Sequence, residues 1–493
     1  MSEQTKREPS LLQASLPIMT LIVLLFASVQ LYSDSSSSGP NQIALLLSAG
    51  VGIIIGMRNG YTWKELEKGI VHGISLALGA ALILLVVGSL IGTWILSGIV
   101  PTMIYYGLKI LNPTFFYPLA AIICAIVALA TGSSWSTAST VGIALIGIAG
   151  ALGLSLPIAA GAIISGSYFG DKLSPLSDTT NLAPAMAGTD LITHIRHMLW
   201  TTIPSMTIAL MLYFFIGLFS NASGQMQSID DIFTALTGSF NIGWYLLIPP
   251  AIVFAMLARK TPALPALLIG ALLGGLFAVI FQQEAILKFV GETSLSTPVA
   301  LFKGFWTAMF GGYIASTGNA AMDSLLTRGG MANMLNTVWL IMMAMTFGGV
   351  METTGILRRI AEGILGFATS TGKLIASTIG TSIGMNIIAS DQYISIVIPG
   401  RMYREEFQRR KLLPKNLSRT LEDAGTLTSP MVPWNTCGAF MAQALGVATL
   451  AYLPFCFLGI LNPIIATVYG FTGFTIEKEK EEIDEAEEVA VAT

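Results

Sequence analysis

The sequence predicts an all-α polytopic membrane protein, built as an inverted repeat with two re-entrant hairpins and two broken transmembrane helices. Three observations lead there. Hydrophobic residues make up 53% of the chain and charged residues only 11%, whereas a soluble domain carries roughly 25% charged residues, so this much apolar surface has no place in a water-facing fold. Eight apolar runs approach the ~20 residues that cross a bilayer. Four further apolar stretches are interrupted by polar residues, and the order of those interruptions recurs roughly 250 residues later, the trace that repeat-built transporters leave in a sequence.

The uninterrupted runs lie at 11–32, 41–57, 70–99, 198–219, 243–258, 261–281, 336–355 and 452–470. The interrupted ones lie at 115–152, 157–190, 372–400 and 420–450. In the first half, Thr131-Gly132-Ser133-Ser134-Trp135-Ser136-Thr137 divides a hairpin, and Ser174-Pro175 followed by Asn181 breaks the next span. In the second half, Asn386, Ser390 and Asp391 mark the hairpin, and Ser429-Pro430 followed by Asn435-Thr436 marks the break. This divides the chain into an N-terminal segment 1–10, a first repeat 11–219, a connecting loop 220–242, a second repeat 243–475 and an acidic tail 476–493, solvated because it has no apolar face. Residues 282–335, polar by turns, are expected along the outer interface. Fifty glycines suit helices that approach closely and break.

Basic residues orient the chain. With the N-terminus inside, only Lys109, Lys288, Lys303 and Arg328 of the 25 Lys and Arg fall outside, and Lys172 lies within the membrane. The cluster from Arg401 to Arg419 falls inside, as does the tail, in line with the excess of positive charge on cytoplasmic loops. The three cysteines, Cys124, Cys437 and Cys456, show neither a disulfide framework nor metal-ligand spacing. His72, His194 and His197 fall at cytoplasmic helix ends and read as surface residues. The glycine-bearing stretch 366–373 has the wrong spacing for a phosphate loop, so neither an ATP-driven pump nor a nucleic-acid partner is expected, and no cofactor.

The chemistry is concentrated in the breaks. Irregular backbone at membrane depth is tolerated only around a cavity or inside protein, and its carbonyls, hydroxyls and amides can replace a small cation's water shell. Asp178 stands among Ser177, Thr179, Thr180 and Asn181, all oxygen-bearing, the ligand type hard cations prefer. It is the expected cation ligand, and a proton can compete for the same carboxylate. The bland alternative is a helix cap, a role that Asp, Ser and Thr all perform. Asp171 is either a second carrier or the partner of its neighbour Lys172. Asp391 with Asn386 and Ser390, then Ser429, Asn435 and Thr436, and finally Ser133, Ser134, Ser136 and Thr137 complete the candidate set. Glu352 is a secondary candidate whose ordinary reading is an interfacial acid.

The segments 132–140 (GSSWSTAST), 166–184 (GSYFGDKLSPLSDTTNLAP) and 348–355 (GGVMETTG) resemble the NhaC family of sodium/proton antiporters, and the resemblance extends over about residues 10–475. It implies a secondary transporter, not an enzyme, that expels sodium and takes up protons across a bacterial inner membrane. By analogy with the wider superfamily it also implies a homodimer with a fixed and a mobile part. A related group exchanges malate and lactate together with sodium and protons and shares much of the pattern. An organic-anion exchanger, in which Lys172 and helix N-termini meet a carboxylate, is therefore the main alternative. A channel would need a continuous pore, and a scaffold would not need Asp171, Asp178 and Asp391 at depth.

Overall fold

Helices make up nearly all the regular structure in the computed structural model, which describes residues 6–32, 36, 38–219 and 229–479. Among these residues the only extended pairings are two isolated bridges, Tyr313 with Arg328 and Leu412 with Lys478. Eight helices are long and apolar enough to cross a bilayer. Leu11–Tyr32, Pro40–Arg58, Leu191–Phe219, Ala263–Phe281 and Ala332–Thr353 fall where the apolar runs place them. Trp63–Leu96 starts earlier than hydropathy indicates, because the Thr62 backbone N–H donates to the Glu65 carboxylate at 2.9 Å and starts the helix in the polar segment.

Two expected simple spans are not simple. The run 243–258 is the second arm of a pair, Asp230–Ser239 and Trp244–Ala258, bent by 83°. Its first arm occupies the part of 220–242 that the structure describes. The run 452–470 is divided between a second bent pair, Thr436–Leu445 with Thr449–Phe455 at 89°, and the separate helix Phe457–Thr472. Pro454, at the start of a short 3-10 turn, separates them. The first hairpin has legs Pro113–Thr131 and Ser134–Ala151. Each is long enough to cross a bilayer, more than re-entrance requires.

Packing relies on small residues. Trp63–Leu96 runs through the centre of the bundle, and a Cβ on its Gly92 would stand 2.1 Å from the Ala308 carbonyl oxygen, or on its Gly73, 2.6 Å from that of Met345. Trp94 fixes a third neighbour by donating to the Gly270 carbonyl at 3.0 Å. The tightest contact joins the first leg of the first hairpin to the helix Leu156–Leu173. There, Cβ atoms on Gly166 and Gly170 would lie 2.0 and 2.3 Å from the carbonyl oxygens of Ala121 and Ala125. Backbones that touch in this way gain dispersion where lipid offers no hydrophobic drive.

The start of the expected solvated tail is docked. The Leu413 N–H donates to the Glu477 carbonyl at 3.0 Å, the Glu479 N–H donates to that of Lys411 at 2.8 Å, and Lys415 pairs with the Glu477 carboxylate at 2.5 Å. The remainder of the tail lies outside the described residues.

Candidate functional site

Four interruptions meet at one place. In the first hairpin, Gly132 ends the helix Phe116–Thr131 in the left-handed region (φ +70°), and the Ser133 hydroxyl caps the next helix by accepting from the Ser136 N–H at 3.1 Å. A side chain on Gly132 would run into Leu176, so the hairpin tip sits directly against the first helix break. In that break, Leu156–Leu173 stops before Ser174-Pro175, where proline both lacks an N–H and pushes its predecessor out of the helical region. The helix resumes as Asp178–Ala187.

The orphaned carbonyls of the first half-helix need donors. Thr180 supplies one, its hydroxyl donating to the carbonyls of Asp171 (3.2 Å) and Lys172 (3.0 Å). Asn181 donates its amide to the carbonyls of Pro175 (3.0 Å) and Ser177 (2.7 Å). Both side chains are thus engaged in holding the break and do not point at Asp178. The Asp171 carboxylate, 6% exposed, accepts from the Ser134 hydroxyl at 2.6 Å and the Ser134 N–H at 3.2 Å, tying the helix end to the hairpin tip. Asp178 is exposed and is the first residue of the resumed helix, whose N-cap position is taken by Ser177 without a side-chain cap hydrogen bond. Across the gap its carboxylate accepts from the Tyr393 hydroxyl at 3.5 Å.

In the second half, Ser390 adopts φ +60° at the tip between Thr371–Ile388 and Ile394–Arg409. Asp391 caps the second leg, accepting from the N–H groups of Tyr393 (2.9 Å) and Ile394 (3.0 Å). The Ser390 carbonyl accepts from the Thr436 N–H at 3.0 Å, so this tip also meets a break. Asn435 caps Thr436–Leu445 by accepting from the Cys437 N–H at 2.9 Å, and donates to Asn386. Asn386 in turn donates to the Gly425 carbonyl at 2.7 Å. Ser429 donates to Gln392 at 2.9 Å.

A cavity of about 700 Å³ opens between these tips and breaks. Ser133, Ser134, Ser136, Asp171, Asp178, Thr179, Asp391 and Thr436 line it, as expected from the sequence. Thr137, Thr180, Asn181, Asn386, Ser390, Asn435, Ser429 and Lys172 are not in its lining. All of them except Asn181 are buried. Glu352, exposed near the end of its helix, does not line it either. The sequence reading missed Gln392 and Tyr393, the two residues after Asp391, and Lys260 in the short link before Ala263–Phe281. Lys260 adopts φ +64°. Among the described residues no group of three or more His, Cys, Asp and Glu has the arrangement of a metal centre.

Two expectations are corrected. Lys172 does not pair with its neighbour Asp171; fully buried, it pairs with Asp423 of the other half, also fully buried, and donates to Asn462 at 3.3 Å. The Asp171 side chain points instead to the hairpin. His194 and His197 are buried, not at the surface; the Nδ1 of His194 lies 2.8 Å from the Ser418 hydroxyl, because Pro414–Leu421 packs over this helix end. The break of the second half lies within the expected 429–436, at 432–435, after a short 3-10 turn.

Membrane-length helices around a polar cavity into which hairpin tips and helix breaks converge define a membrane transport protein. The chain belongs to the Na+/H+ antiporter family, which it matches over residues 166–474. It is 39% identical over 441 residues to the Na+/H+ antiporter NhaC of Alkalihalophilus pseudofirmus, covering 90% of this chain and 91% of that protein. It is also 39% identical to the malate-2H+/Na+-lactate antiporter of Bacillus subtilis (91% and 93% covered). To the arginine/ornithine antiporter ArcD of Halobacterium salinarum it is 38% identical (97% and 96% covered).

Proposed function

We propose that the protein is a secondary transporter that exchanges cytoplasmic sodium for external protons, with Asp178 as the shared ligand. The observation that carries this reading is the placing of two carboxylates on either side of one helix break. Asp178 lines the cavity and accepts a long hydrogen bond, 3.5 Å from the Tyr393 hydroxyl, while Asp171 is held behind it by Ser134. The buried hydroxyl of Ser136, which has no hydrogen-bond partner, is left for an occupant. Thr179, Asp391, Thr436 and the serines of the first tip supply further oxygens around the cavity. In this reading Thr180, Asn181, Asn386 and Asn435 shape the site by holding the breaks, and Lys172 balances charge behind it.

The excess of basic residues supports a cytoplasmic side, at a bacterial inner membrane, for both termini and for the cavity wall at Lys260. The two halves then form an inverted repeat whose hairpins approach from opposite faces, and alternating access moves one set of tips against the other. A homodimer follows only from the family resemblance.

One observation favours the second reading, exchange of a small organic acid coupled to sodium and protons. The cavity of about 700 Å³ far exceeds the ~30 Å³ share of one water, and thus the needs of a bare cation, and Lys260 offers a carboxylate a counter-charge at its wall. Proteoliposomes separate the two. An imposed sodium gradient should move internal pH with no organic acid present. Movement only when malate or lactate is supplied would replace the first reading with the second.

A further inference from the structure

Behind the cavity wall lies a second set of charges. The helix Pro414–Leu421 passes into a π turn, Glu422–Thr426, a deformation frequent at functional sites. Glu422, on its first residue, is fully buried, and neither carboxylate oxygen has a hydrogen-bond partner. The Thr426 hydroxyl nearby is also unpaired, and that of Thr179 bonds to Ser177 instead. An ionised carboxylate buried without a hydrogen-bond partner is among the most unfavourable arrangements a protein can contain.

The neighbouring cations are already paired. Lys172 is committed to Asp423, which also accepts from Thr201 at 2.9 Å. Arg419 stands 3.8 Å from the same Asp423 and donates to Thr475. The helix Leu156–Leu173, which packs against the turn, carries Lys172 itself and the Asp171 carboxylate. His194 and Asp178 sit on the adjoining helices, and Phe457–Thr472 brings Tyr469 toward Arg419. From the hairpin legs, Asn386, Ser395 and Ile396 reach this turn. A metal cation would meet Lys172 and Arg419 here, whereas a neutral acid fits.

We propose that Glu422 is a second proton-binding site of the transporter, standing behind the cavity wall and exchanging its proton with the cavity by way of Asp171 and Thr179. Both of these line the cavity, and the helices that carry them pack against the Glu422 turn. The step is a proton transfer between carboxylates; no bond other than O–H forms or breaks. This rests on the antiport reading for its role in transport, but not for the presence of the proton.

Infrared difference spectroscopy of the full-length protein in liposomes, taken across a pH step without any ion gradient, tests the proton. The wild type should show the carbonyl stretch of a buried protonated carboxyl. The band should vanish in Glu422→Gln and persist in Asp178→Asn. Glu422→Gln keeps the shape of the neutral acid, and Glu422→Asp, which should move the band without removing it, provides a second variant. The ratio of protons to sodium at the reversal point of exchange should fall by one proton in Glu422→Gln. A band that survives in Glu422→Gln, or an unchanged ratio, overturns the proposal. A wild type that moves no protons against sodium overturns the antiport reading instead, and the infrared band then decides Glu422 alone.

Discussion

The two helix breaks use the same backbone device with different side chains. Each is four residues long with proline second, Ser174-Pro175-Leu176-Ser177 in one and Val432-Pro433-Trp434-Asn435 in the other. Each is capped by a residue with extended backbone, Ser177 or Asn435, and meets a hairpin tip. The helix resumes on Asp178 in the first and on Thr436 in the second. In the second half, an amide and a hydroxyl suffice to stop a helix in the membrane and start it again. The charge on Asp178 is therefore not what the break requires. The acids also sit differently: in the first half they face the cavity, whereas Glu422 and Asp423 of the second are fully buried behind it.

Asp178→Asn tests that contrast most strongly. It keeps the shape and removes the titratable charge, so coupled exchange should disappear while expression and thermal stability remain. Thr436→Ala, at the matching position, removes one cavity oxygen but no charge, so sodium affinity should weaken while coupled exchange stays measurable. Equal loss in both variants would mean that the two breaks are equivalent and that Asp178 is only structural.

Next in size is Lys172→Met, which leaves Asp423 buried without its partner and should destabilise by about 3–5 kcal/mol. Adding Asp423→Leu should recover much of that loss in a thermal unfolding measurement. A single variant as stable as the wild type would show that the two breaks are not linked through this pair.

Sodium affinity against pH comes third. If one proton competes with sodium at Asp178, apparent affinity should weaken about tenfold per pH unit below the carboxylate's pKa and level off above it. Sodium activation of transport at several pH values on both sides of neutrality measures the slope. A flat profile with transport still proton-coupled would separate the two ions and shift the proton to Asp171 or Glu422. The smallest effect is expected for Asn435→Ala, about 1 kcal/mol for a lost cap, read as a modest drop in unfolding temperature with exchange preserved.

Much of this was legible in the sequence because lipid imposes simple rules. Apolar length placed most spans, and the segments 132–137 and 171–181 stood out as polar groups where none should be. What escaped was long-range pairing. Lys172 sits beside Asp171 in the chain, but its partner Asp423 is 251 residues away, and adjacency gives no hint of it. The burial of His194 and His197 depends on a helix from the other half packing over them. Glu422 and Asp423 were visible as two adjacent acids in an apolar region, yet nothing in the chain marks what they would face. Thr180 and Asn181 were read as ligands by composition, and only the backbone carbonyls left free at the break explain why both side chains bond there instead.

The glycine contact between Leu156–Leu173 and Phe116–Thr131 has a mechanical consequence. Two backbones meeting carbonyl to Cα at Gly166 and Gly170 have no intervening side chains to act as bearings. Any sliding along that seam drives main chain into main chain. The hairpin leg and the half-helix must then travel as one piece, carrying Ser134 and Asp171 with them in a fixed embrace. In the alternating-access reading, a gate would open at the edges of that rigid piece, where the cavity meets Leu76, Ile83 and Lys260.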